Sequence, residues 1–192
     1  MRNHVFATVM SALALGALGA SAAQAQVTFT TPSDEAARAP RPLRERGPAL
    51  APALVAAQTA VDACEAMGFQ VTVAVIDSAA APVVILSGNG APAITQSIAM
   101  GKAVSSVRNG KPSAELAVLA QTDKDLAARL SADPQQGPQR GGGLPIKSGG
   151  AVIGAIAVSG SPDAGWDVEC AQAGLAKALD APKTKAPRRS RK

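Results

Sequence analysis

Residues 141–160, GGGLPIKSGGAVIGAIAVSG, decide how the chain is read. The stretch divides into a glycine turn, a short strand over 144–147, a Ser148-Gly149-Gly150 turn and a longer strand over 151–159. Gly149-Gly150 supplies the positive φ angles that a two-residue hairpin turn requires. Residues 151–158 are almost unbroken in apolar side chains, which predicts a strand covered on both faces. Gly154, Ala155 and Ala157 leave little side chain there, so a helix can pack close to it.

Outward from the hairpin, the periodicities supply the cover. Leu54, Ala57, Val61, Cys64 and Met67 recur at spacings of three and four, predicting a helix over 50–67 that stops at Gly68. A β-branched strand follows over 70–77, then a turn and a second strand over 83–86. A helix is predicted over 93–107, with Ile94, Ile98, Gly101 and Val104 or Ser105 on one face. Lys102 lies one residue off that face, so its stem can follow apolar surface while the ammonium reaches a loop or ligand. Ser113 is expected to cap a helix over 114–120, and Thr122 with Asp125 to form a capping box before Leu126. Asp163 opens a last helix with Val168, Ala171, Leu175 and Leu179 as its buried stripe. The fold class is α+β, an antiparallel sheet flanked by N- and C-terminal helices.

Composition narrows the function. With 192 residues the chain is long enough for one domain with a real core. Aromatics are 2% of the chain, so the stacking platforms of single-strand nucleic-acid binding are absent, and no nucleic-acid partner is expected. The net charge of +5 is uneven. Residues 51–182 carry eight basic and eleven acidic groups, a net of −3, while 183–192 carry six basic groups and no acid. The basic tail is expected to be disordered.

Residues 1–25 read as a signal peptide. Arg2 precedes an apolar run over 5–20, and Ala23-Gln24-Ala25 fits the cleavage rule. The mature protein is expected in the periplasm or outside the cell, with a proline-rich disordered leader over 26–49, a domain over 50–182 and no membrane span. His4, the single histidine, leaves with the signal. Ser-His-Asp and Cys-His catalysis and ordinary zinc sites are thereby excluded.

Several of these pieces together resemble one family. They are Val73 to Asp77, Asn89-Gly90-Ala91, Ala99-Met100-Gly101-Lys102-Ala103, Gly141 to Ile146, Val152 to Gly160 and Asp167 to Ala171. In this order they resemble the GlcG/HbpS-like group of haem-binding and so-called haem-degrading domains, over about residues 50–180. The resemblance implies a profilin-like sandwich, assembly into homo-oligomers, and haem or other tetrapyrrole binding in some members. The chain departs from the group after Asp77, where Ser78-Ala79-Ala80-Ala81 replaces a glycine-containing turn, and at Ser87-Gly88, where many members carry a charge.

The candidate site residues follow from these motifs. Asp77, Lys102, Arg140 and Asp167 are the charged groups in or beside them. Gly141, Gly142 and Gly143 can present N–H groups to an anion, or simply permit a turn. Haem iron takes His, Cys, Met or Tyr, and with His and Tyr gone Met100 is the better placed methionine, while Ser105 is a weak ligand on the same helix. Cys64 and Cys170 can form a disulfide, remain packed thiols, or serve a redox or metal role. Three functions stay open: a non-catalytic binder of haem or a related small ligand, an enzyme or accessory acting on a small carboxylate through Lys102 and Asp77, and a structural oligomer without a ligand.

Overall fold

The computed structural model describes residues 47–180, all within one compact unit. The expected signal peptide, most of the leader and the basic tail lie outside the described residues. The elements are α1 (Leu50–Ala66), β1 (Thr72–Asp77), β2 (Pro82–Ser87), α2 (Ile94–Asn109), α3 (Ser113–Thr122), α4 (Lys124–Ala132), β3 (Gly143–Ser148), β4 (Ala151–Ser159) and α5 (Ala164–Asp180). The strands form one antiparallel sheet in the order β2-β1-β4-β3. The α+β class expected from the sequence is the one observed.

The hairpin organises the sheet as expected. Ser148 pairs with Ala151, and both intervening glycines have positive φ, +57° at Gly149 and +81° at Gly150. A side chain at both positions would be strained in that turn. Pro145 is tolerated in β3 because β3 is an edge strand. β4 is central and its residues 154–159 are all buried.

Alternation sends the two sides of the sheet to two different layers. Val73, Val75, Ile156 and Val158 pack with α1 and α5. Ile76, Ala155 and Ala157 pack with Ala103, Val104 and Val107 of α2. Helices α1 and α5 therefore lie on one face, side by side, and α2 packs on the other. α1 and α5 approach closely because the contact is made of small residues: a Cβ on Gly174 would stand 2.3 Å from the Ala56 carbonyl oxygen. The Cys64–Cys170 disulfide joins these helices, with Cα atoms 5.6 Å apart. A smaller cluster, Leu116, Leu126 and Leu130, holds the α3–α4 hairpin together.

Several helix faces differ from the sequence reading. In α1 the buried stripe is Ala53, Ala56, Ala57, Ala60, Val61 and Cys64, and Leu54 and Met67 are exposed. In α2, Ile94 is 65% exposed, while Ala99 and Ala103 are fully buried. Size, rather than hydrophobicity, sets these faces, because the helices sit against a sheet of Ala, Val and Gly. Ser113 falls inside α3 instead of capping it, and Pro112 holds the cap position. Asp123, not Thr122, caps α4, accepting from the Leu126 N–H at 2.8 Å.

Candidate functional site

Lys102 lies on α2 and reaches across the end of β4 to α5. Its Nζ donates to Asp167 Oδ2 at 2.7 Å and to the Val158 carbonyl at 3.0 Å. The two side chains are 3% and 4% exposed, so this is a buried ion pair. The second Asp167 oxygen accepts from the Ser161 N–H at 3.1 Å and from its hydroxyl at 2.7 Å. Both carboxylate oxygens are thus bonded, as a buried charge requires. The sequence marked Lys102 as reaching a loop or ligand; its partner is Asp167 in the first turn of α5, where an acid also favours the positive helix end.

The glycine run is committed to packing. A Cβ on Gly142 (φ +118°) would stand 2.5 Å from the Val158 oxygen and 3.1 Å from Lys102 Nζ. On Gly141 it would meet the Ala164 oxygen at 2.8 Å, and on Gly143 the Lys102 oxygen at 2.6 Å. The run threads between α2 and α5, and the Gly143 N–H donates to Ser113 Oγ at 2.9 Å. Of the two readings of this run, the tight turn is the one the geometry carries.

Above the ion pair is a cleft of about 200 Å³ lined by Thr95, Ile98, Lys102, Pro138, Arg140, Ser159, Gly160, Ser161, Pro162, Ala164 and Asp167. Arg140 is exposed at its rim, and its guanidinium has no partner among the described residues. Ser159 is 5% exposed, and its hydroxyl also has no partner among them. Thr95 is committed: its hydroxyl donates to the Pro92 carbonyl at 2.6 Å and lies 2.7 Å from Thr72 Oγ1.

Met100 faces elsewhere. It lines a second hollow of about 300 Å³ with Ala79, Ala80, Ser97, Gly101, Val104 and Gln135. Residues 100 and 102 are about 200° apart around α2 at 100° per residue, so they serve opposite sides of the helix. Asp77 shapes this second hollow. Its Oδ1 accepts from the Ala79 N–H at 3.0 Å and the Ala81 N–H at 2.8 Å, closing the turn that carries Ala80 at φ +63°. Asp77 pairs with Gly154 and Val73 with Val158, so Asp77 lies about 13 Å along the strand from the end that Lys102 reaches. The sequence grouped Asp77 with Lys102; the sheet register separates them. Ser105 is fully buried and accepts from Gln139 Nε2 at 3.1 Å, tying the loop before β3 to α2, and it lines neither hollow.

The residues that could hold a haem iron are few. Among the described residues there is no His, the chain has no Tyr, and both cysteines are bridged. Met67 is 36% exposed at the end of α1. The Met100 thioether beside the Ala79–Ala80–Val104 wall is the donor that fits an apolar ligand plane. Ser159 and Ser161 were missed in the sequence because single serines near a glycine carry no pattern of their own.

Comparison with known proteins places the chain. The family model described as haem degrading protein HbpS-like matches residues 49–176. A double mutant of Streptomyces reticuli HbpS is 30% identical, with 80% of this chain and 97% of that one covered and a TM-score of 0.64. A second HbpS crystal structure is 33% identical, covering 69% and 91%, with a TM-score of 0.63. A structure described as a PduOC–haem complex shares the fold at 21% identity, covering 67% and 93%, with a TM-score of 0.61. No curated protein matches the chain significantly. With a model match across two thirds of its length and HbpS itself among its structural neighbours, the chain belongs to the HbpS-like family.

Proposed function

We propose that the protein is an exported, non-catalytic binding protein for haem or a related tetrapyrrole, acting as a homo-oligomer. The observation that carries this is membership of a family whose description names haem. The partly apolar Met100 hollow is the feature that supports a site for it. Haem, when bound, would supply a redox-active iron on a broad apolar plane. Met100 would offer its thioether to the iron, and Ala79, Ala80 and Val104 would lie against the plane. Asp77 would hold that wall in shape through its two N–H bonds.

Export is supported by the signal-like composition of residues 1–25 and by the Cys64–Cys170 disulfide, which persists in oxidising compartments. Assembly is supported by Leu50, Leu54, Ile85 and Ile94, which are exposed to between 44% and 65%. An enzyme using Lys102 and Asp77 together is disfavoured by the register that parts them.

Titration of the mature protein with hemin tests the reading. Saturation at a fixed stoichiometry with a shifted Soret band is expected. Met100→Leu, which conserves volume, should weaken binding and remove the spectral signature of a thioether ligand. A Soret band that stays that of free hemin across the titration sinks the proposal.

A further inference from the structure

The 200 Å³ cleft beside the buried ion pair is a separate feature from the Met100 hollow, on the other side of α2. Its volume lies below the range of about 300–1,000 Å³ that suits drug-sized ligands, so it takes a small molecule or the arm of a larger one. Its chemistry is that of an anion site. Lys102 and Asp167 neutralise each other below the surface, so they add no net charge to the cleft. Asp163, next to the lining Pro162 and Ala164, turns its carboxylate to the Gly165 N–H at 2.6 Å. What remains is the Arg140 guanidinium at the rim, unpaired among the described residues. A planar guanidinium matches a carboxylate with two parallel hydrogen bonds.

A second observation points the same way. Ser159 is 95% removed from solvent, being 5% exposed, yet its hydroxyl finds no hydrogen-bond partner among the described residues. The hydroxyl is not sealed off: it opens on the cleft, where a ligand oxygen can take the place of water on it. Ile98, Pro138 and Pro162 give the walls apolar surface for a short carbon chain.

We propose that this cleft is a carboxylate-binding site, with Arg140 meeting the charge at the rim and Ser159 donating from the interior. The carboxylate can come from a free small acid or from the propionate arm of a tetrapyrrole. The proposal is independent of the Met100 hollow and of whether haem binds there.

Isothermal titration of the mature protein with acetate, oxalate and succinate, run beside hemin and hemin dimethyl ester, tests it. The variants are Arg140→Gln and Ser159→Ala, with Arg129→Gln, an exposed arginine of α4 outside the cleft, as control. Arg140 is exposed and its side chain is unpaired among the described residues, so its replacement should leave the fold intact, which circular dichroism checks. If a free acid is the ligand, one of the three small acids binds, and Arg140→Gln weakens it about tenfold or more while the control does not. If a propionate is the ligand, hemin binds more tightly than its dimethyl ester, and Arg140→Gln removes that difference. Binding of hemin and of every acid that is the same in Arg140→Gln and wild type overturns the proposal, even where hemin itself binds. Failure of all the acids, with hemin and its ester alike, overturns it too.

Discussion

Replacing Lys102 by methionine tests the account of the ion pair most directly. Methionine keeps the length and apolar stem of lysine and removes the ammonium. Asp167 Oδ2 then loses its donor, while Oδ1 keeps both bonds to Ser161. With both side chains under 5% exposed, the cleft they border brings little water to the carboxylate, so the stranded charge stays poorly solvated. Breaking a buried pair from one side costs about 3–5 kcal/mol. For a domain of this size that is a fall in Tm of roughly 10–20 °C. Replacing both partners, Lys102→Met with Asp167→Leu, removes the stranded charge and should cost much less than the first change alone. Urea unfolding of the wild type, the two single variants and the double variant completes the cycle. The reasoning is refuted if Lys102→Met costs under about 1 kcal/mol, or if the double variant loses the sum of the two singles.

Three further outcomes are expected. Ala80→Gly should stabilise the protein by about 0.5–1 kcal/mol in the same urea assay, because Ala80 sits at φ +63°, where a Cβ is strained. Replacing Cys64 and Cys170 together by alanine should cost about 2–5 kcal/mol, since the bridge closes a separation of 106 residues; unfolding in the presence and absence of reductant should differ in the wild type only. The Asp133 carboxyl should titrate below its ordinary 3.8, held there first by its hydrogen bond from Arg108 and then by the Gln135 N–H. Its contribution to stability is present above that ordinary value and is lost as pH falls through the lowered one. NMR titration should show the Asp133 value return upward in Arg108→Ala.

The parts legible in the sequence are those where one local rule acts alone. Gly149-Gly150 announces a turn, unbroken apolar residues announce the doubly covered β4, and the element order gives the class. The helix faces were less legible because this core is made of small residues. Leu54 and Ile94 outrank alanine in hydrophobicity, yet the close approach of α1 to α5, and of α2 to Ala155 and Ala157, admits only alanine and glycine. Hydrophobicity misorders such a helix because the limit is the space between backbones. Asp77 and Lys102 were grouped because both are charges in recognisable motifs. Which end of a strand a charge reaches depends on register and on the side of the helix that crosses it, and neither is a local property of the sequence.

The same geometry explains why α2 borders two separate hollows. Its sheet-facing stripe of Ala99, Ala103 and Val107 fixes its rotation against β4. With that rotation set, residues 95, 98 and 102 must open toward the start of α5, and residues 97, 100 and 104 toward the turn after β1. A single helix thereby separates a polar cleft, bordered by a guanidinium unpaired among the described residues, from an apolar hollow bordered by a thioether. A substitution that enlarges Ala103 would rotate or lift α2 and so disturb both sites at once, whereas Arg140 and Met100 can each be changed without touching the other.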